Sequence, residues 1–303
     1  MGRMVSEKPR LMITGASGLL GHALCRAARN RWTVYGVYRR HKPRVAGLHM
    51  IQADLRNRQC HRDLLKAIRP RAVIHAAANA DVVACEKNPQ VCDTINRQVP
   101  ARLARLCDQA GIAYLFTSTD LVFDGRQAPY DETAPPRPIC VYGEHKARAE
   151  AEVLSHCSNA LVCRLPLMFG AGPYSGHHFG VQMLHAIRGG KTLNLFEDEL
   201  RTPVDIDSAA HGIITLLGQA KGLFHLGGYT RVSRYELGLA LARQLGIEPS
   251  MIRPVSIRQM KLAVARAADC SLVSQKAYAA GYRPASLTRG LQRFVHRFDQ
   301  FSQ

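Results

Sequence analysis

The stretch RLMITGASGLLGHALCRAARN, residues 10–30, decides the fold. Its opening RLMIT is a short apolar run that stops at a glycine, and it reads as a buried strand. SGLLGHALCRAARN then reads as a helix. Gly15, Gly18 and Gly21 fall at the junction, spaced G-x-x-G-x-x-G rather than the G-x-G-x-x-G of the ordinary dinucleotide fingerprint. The physics is shared. Glycines allow the tight turn and the close approach of backbone, and the unpaired N–H groups at the helix start meet a pyrophosphate. Three glycines alone are a weak signal, but a strand before them and a helix behind supply the context that makes the loop a nucleotide site. Gly15, Ser17, Gly18, Leu19 and Leu20 are its candidate cofactor contacts.

Working outward, short apolar runs alternate with amphipathic stretches. WTVYGVY and LHMIQAD read as the second and third strands. HRDLLKAIR reads as a helix before the strand AVIHAAA, and QVPARLARLCDQA as another before AYLFTST. That cadence predicts crossover units, and so an α/β fold: a Rossmann-type doubly wound parallel sheet with helices on both faces. VYGEHKARAEAEVLSH reads as a long helix and ALVCRLPLMFG as a buried strand. Past Pro166 the rhythm loosens, and GAGPYSGHHFG reads as a binding loop. VDIDSAAHGIITLLGQA and GLFHLGG look like one more helix and strand returning to the sheet. The expected division is therefore residues 1–166 plus about 204–228 as an NADP-binding Rossmann domain, with about 167–203 plus 229–303 as a smaller C-terminal α/β substrate lobe.

At 303 residues and 47% hydrophobic composition the chain can bury a sizeable core. No apolar run approaches the roughly 18 residues of a membrane span, and no signal-peptide core precedes the first strand, so a cytoplasmic protein without membrane contact is expected. The nine cysteines form no C-x-x-C pair and several sit in apolar stretches, as small buried residues of a reducing compartment do. A net charge of +18 favours phosphate-bearing partners. The arginines are scattered, with no zinc-finger spacing and no RRM signature, so nucleic acid is not expected as a partner.

The second strand ends in VYRRHK. NAD sites usually carry an acidic residue there for the ribose 2′-hydroxyl, whereas Arg39 and Arg40 would meet a 2′-phosphate. NADP(H) is the implied cofactor, with NAD(H) the less favoured alternative. Asp54 and Leu55 follow the third strand and suit an adenine amine and ring face; a loop-capping aspartate explains Asp54 equally well.

Tyr142 and Lys146 share one face of a predicted helix. An ammonium beside a phenol favours phenolate and can also bond ribose hydroxyls, and such a tyrosine can protonate a carbonyl oxygen while hydride reaches its carbon. Thr119 lies at the carboxyl end of a predicted strand, where open α/β folds bind ligands.

With these motifs the chain resembles the extended short-chain dehydrogenase/reductases, in particular the dTDP-4-dehydrorhamnose reductase (RmlD-like) subgroup. TGASGLLG, HAAA, STDLVFDG, PYDETAPPRPICVYGEHKARAE, RLPLMFG and RAADCSL carry the resemblance. It implies that Thr119, Tyr142 and Lys146 are catalytic, with Ser118 beside them at the substrate. It implies that Ala76, Ala77 and Ala78 line the cofactor ribose with Thr117 nearby, and that Asn96 supports the site from its helix. Asp120 and Asp124 are expected to shape the turn, Asp120 within reach of substrate. Arg201 and Arg266 fall where a substrate diphosphate would suit them, although Ala267 stands where the family usually has proline. Dehydratases of the extended family carry an acidic pair after the threonine; here Leu121 follows Asp120, which disfavours dehydration. His145 is expected at the surface, and His177 and His178 in a polar loop near the substrate. No metal is expected.

The implied function is an NADPH-dependent reductase of a nucleotide-diphosphate 4-keto-6-deoxy sugar. Two alternatives stay open: a non-catalytic NADP-binding regulatory subunit similar to the beta subunit of methionine adenosyltransferase, and a nucleotide-sugar epimerase. A homodimer is one assembly open to the chain.

Overall fold

Leu11, Met12 and Ile13 are fully buried in β1 (Arg10–Thr14), the strand that begins the glycine-loop unit. Leu11 and Ile13 pack into one core and Met12 into another on the opposite side of the sheet. A strand apolar on both faces must be covered on both. The computed structural model, which describes residues 7–43, 45–174 and 178–302, supplies that cover.

After β1 come α1 (Leu19–Ala28), β2 (Thr33–Tyr38), β3 (His49–Gln52), α2 (Arg58–Ile68) and β4 (Ala72–His75). Three helical pieces follow: α3 (Val82–Lys87), α4 (Pro89–Asp93) and α5 (Val99–Gln109). A π-helical turn, Thr94–Gln98, joins the last two. β5 (Ala113–Thr119) runs into a single 3-10 turn, Asp120–Val122, before α6 (Val141–His156) and β6 (Leu161–Leu165). The chain then leaves the sheet through β7 (Met168–Phe169), α7 (Phe179–Arg188), β8 (Leu193–Phe196), β9 (Leu200–Arg201) and β10 (Val204–Asp205). It returns by α8 (Ile206–Leu216) and β11 (Gly222–His225). β12 (Val232–Ser233), α9 (Arg234–Leu245), β13 (Ile252–Val255), α10 (Gln275–Ala279) and α11 (Leu287–Ser302) complete it.

The large sheet has seven parallel strands in the order β11-β6-β5-β4-β1-β2-β3. α1 and α8 cover one face, through Leu20, Leu24, Ile213 and Leu216. α2, α5 and α6 cover the other, through Leu64, Leu103 and Val153. Strand order reverses between β1 and β4, which opens a crevice at their carboxyl ends.

A further core joins α7, α9 and α11 to the β8–β13 pair, with Leu184, Leu237, Leu241 and Phe294 at its centre. Residues 275–282, expected with the smaller lobe, instead send Ala277 and Tyr282 into the core beneath α1 and α8. All nine cysteines are free thiols, Cys60 partly exposed and the others buried. Among the described residues no helix is long and apolar enough to cross a membrane.

Candidate active site

The glycine loop earns its composition from contact with the exit of β4. Gly15 has φ +72°, and a Cβ on it would sit 2.7 Å from the Ala77 nitrogen. A Cβ on Gly21 would lie 2.0 Å from the Gly15 carbonyl oxygen, so α1 could not start where it does with any larger residue. The resulting cleft, of about 580 Å³, brings together the expected Gly15, Ser17, Gly18, Arg39, Arg40, Asp54 and Leu55. Ala76, Ala77 and Ala78 form its opposite wall. Leu19 and Leu20 do not line it; both are buried in the core. Thr117 lies behind it and donates its hydroxyl to the His75 carbonyl at 3.1 Å.

Arg56 also lines this cleft and was not anticipated. Its guanidinium forks onto both oxygens of Asp54, and these bonds hold the Asp54 carboxyl down at about 2. An ionised Asp54 is thus ready to accept, and three arginines stand at one end of the cleft.

The reactive groups gather at the end of β5. A Cβ on Gly143 would come within 2.1 Å of the Leu121 carbonyl oxygen, so glycine there lets the first turn of α6 press against the 3-10 turn. Tyr142, the residue before it, is 8% exposed. Burial, and after it the Asp120 charge, push its phenol above the ordinary range. Desolvation thus shifts the phenol upward, opposite to the depression expected from Lys146, and the hydroxyl keeps its proton. Lys146 donates to the Thr117 carbonyl at 2.6 Å and lies 3.9 Å from the Phe116 ring centre. Burial lowers it to about 7, opposed by Glu150. The Ser118 hydroxyl is buried without a hydrogen-bond partner.

Asn96 is 1% exposed in the π-helical turn, a feature that often marks functional sites. Its side chain accepts from the Asn79 N–H at 2.9 Å and donates to the Asn79 carbonyl at 3.0 Å, which holds the loop leaving β4. His145, expected at the surface, is buried: α6 turns it toward Asp93, 3.9 Å from Nε2, and burial lowers its pKa. His177 lies outside the described residues, and His178 immediately precedes α7. Asp124 accepts from the Tyr130 hydroxyl at 2.7 Å and shapes the turn.

A second cavity of about 210 Å³ adjoins this end. Its walls are apolar, with Val82, Leu121, Phe123 and Val264, and one side carries Glu199, Arg201, Arg234 and Arg266. Glu199 is buried among the three arginines, at 3.3, 2.7 and 3.2 Å respectively. Burial pushes its carboxyl up, but Arg234 and Arg201 together hold it below the usual range. Arg201 is itself buried against Asp120, whereas the Arg266 side chain is 41% exposed. Among the described residues no group of three or more His, Cys, Asp or Glu side chains could hold a metal ion.

The family profile of the RmlD substrate binding domain matches residues 9–300. Methionine adenosyltransferase 2 subunit beta of Xenopus laevis is 28% identical over 256 residues, 82% of this chain and 75% of its own length. The probable low-salt glycan biosynthesis reductase Agl14 of Haloferax volcanii is 32% identical over 246 residues, 79% of this chain and 81% of its own. In fold, the chain matches the crystal structure of dTDP-4-dehydrorhamnose reductase from Bacillus anthracis in complex with NADP. The TM-score is 0.85 at 23% identity, over 96% of this chain and 99% of that one.

Proposed function

Because the chain belongs to the RmlD substrate binding domain family, we propose that it is an NADPH-dependent reductase of the 4-keto group of a nucleotide-diphosphate 4-keto-6-deoxy sugar. The observation that carries the reading is the buried Tyr142 side chain, one helical turn from Lys146, whose phenol burial holds in its protonated form. A reductase needs its phenol in that form, since the carbonyl oxygen must receive a proton as its carbon receives hydride.

The glycine cleft fits a dinucleotide: its backbone approaches closely where a Cβ would collide, and Arg39, Arg40 and Arg56 at one end suit a 2′-phosphate. NADPH, when bound, supplies the hydride. Ser118, whose hydroxyl is free to donate, orients the carbonyl beside Thr119, and Tyr142 gives its proton to the oxygen as the carbon–oxygen π bond opens. Lys146, once charged, stabilises the phenolate left behind until solvent reprotonates it. Arg266 is the exposed cation for a substrate diphosphate. The Agl14 relative, named as a probable reductase, supports the same reading.

A second reading, a regulatory subunit, is favoured by the likeness to methionine adenosyltransferase 2 subunit beta. One assay separates the two. Purified protein is mixed with NADPH and a panel of dTDP-, GDP- and UDP-4-keto sugars, and absorbance of the reduced nicotinamide is followed. Turnover that falls by about 10²–10⁴ in Tyr142→Phe supports the reductase. Equal rates in the two proteins sink it, and co-purification with a methionine adenosyltransferase becomes the deciding experiment.

A further inference from the structure

Arg201 sits on β9, outside the seven-stranded sheet, yet its guanidinium is fully engaged at the reactive end. Nε lies 3.2 Å from Asp120 Oδ2. Nη1 donates to the Leu200 carbonyl at 2.6 Å and Nη2 to the Ala267 carbonyl at 3.1 Å. Nη2 also lies 3.3 Å from Glu199 Oε1. The other Asp120 oxygen accepts the Thr119 hydroxyl at 3.1 Å, and the Thr119 oxygen accepts the Leu121 N–H at 3.2 Å.

Asp120 is 4% exposed and Arg201 3%, so neither offers a free charge to a ligand. A threonine hydroxyl has a single hydrogen, and the carboxylate that takes it sets the direction of the oxygen lone pairs. The guanidinium, anchored on two main-chain carbonyls, stands beside the carboxylate as an ion pair, with no hydrogen bond to Oδ2. This is a chain of contacts ending on the Thr119 hydroxyl, whose free lone pair is left to accept a donor rather than to donate to the carbonyl.

We infer that Asp120 and Arg201 are a positioning pair that orients the Thr119 hydroxyl, and not contacts for a substrate anion. The inference rests on the reductase reading and assigns these two residues a role within it. The alternatives differ kinetically. Loss of an anion contact raises KM and leaves kcat, whereas loss of positioning lowers kcat with KM nearly constant.

The test uses the full chain and three variants. Asp120→Asn keeps an acceptor for Thr119 and loses the charge; Asp120→Ala loses both; Arg201→Lys keeps the charge and loses the planar fork. NADPH binding by each variant, read by fluorescence, shows that it is folded. The expected result is a kcat lowered by about a hundredfold in Asp120→Ala, since small misplacements of this kind have costs of that order. Asp120→Asn recovers part of that loss, Arg201→Lys falls below wild type, and KM stays within threefold throughout, by the same argument. A raised KM with unchanged kcat in Arg201→Lys and Asp120→Asn overturns the inference; should Asp120→Ala not fold, those two variants carry the test. If the wild-type protein reduces no keto sugar, the reductase reading has failed separately. Crystal structures then decide the pair: Thr119 in one unchanged rotamer in wild type and both milder variants overturns it, and a rotated Thr119 hydroxyl supports it.

Discussion

Arg39, Arg40 and Arg56 crowd one end of the nucleotide cleft, and among the described residues only Arg56 already has a carboxylate partner there. Charge-assisted bonds to a phosphate contribute about 1.5–3 kcal/mol each. Arg39→Ala and Arg40→Ala should therefore weaken NADPH binding about tenfold or more while leaving NADH affinity nearly unchanged. Titration with both cofactors checks this, and an unchanged preference removes the argument for the 2′-phosphate. The first two arginines were legible because they end a strand that the alternation of apolar runs identifies. Arg56 was not, since only the folded β3–α2 turn points it into the same cleft. His145 shows the same limit in reverse: a charged neighbourhood on a helix reads as surface, and packing beside Asp93 at the end of α4 buries it. The Tyr142–Lys146 spacing was plain in the sequence, but the direction of the phenol's shift depends on desolvation, which no spacing encodes.

α6 was legible in full, from Val141 to His156, because its motif residues and its apolar face share one helical period. The stretch between β4 and α5 was read only as far as the helix expected to carry Asn96. Its two short helices and π-helical turn follow from packing against α6 and from the Asn96 bonds to Asn79, neither of which is a local preference. The contact that seats α6 is the bare Gly143 against the Leu121 carbonyl. Gly143→Ala forces helix and turn apart, at a cost of about 1–3 kcal/mol or more for an overpacked site. We predict a melting temperature lowered by several degrees and a disproportionate loss of kcat, because Tyr142 and Thr119 lie on opposite sides of the opened seam. Calorimetry with steady-state kinetics checks both, and an unaltered kcat in a destabilised protein would count against this geometry.

Across the whole molecule, buried histidines set the acid limit of stability. Burial lowers His22 to about 4 and His225 to about 3, each helped by a nearby arginine, and drives His75 well below its usual value. Their folded values lie below the ordinary 6.5, so as pH falls past 6.5 the unfolded chain takes up protons that the folded one refuses. Stability is full above that pH and declines below it, by up to about 1.4 kcal/mol per pH unit for each such histidine. Urea unfolding at pH 7 and pH 5 should show the decline, and His22→Gln should flatten it; equal midpoints in the parent protein at both pH values would refute the linkage.

The doubly wound class itself was readable from one strand–glycine–helix unit and the cadence behind it. The placement of α10 was not, because Ala277 and Tyr282 are apolar residues whose destination depends on which core lies nearest. The long excursion between β6 and β11 has a consequence for biosynthesis. Strands β1 to β5, which frame the crevice, leave the ribosome as one uninterrupted run ending at Thr119. Arg201 is translated far later, and until it emerges Asp120 has no guanidinium to offset its burial, which is costly for a lone carboxylate. The growing chain can thus shape a nucleotide cradle early, while the chemistry-bearing end stays wet and unfinished until the excursion has been made.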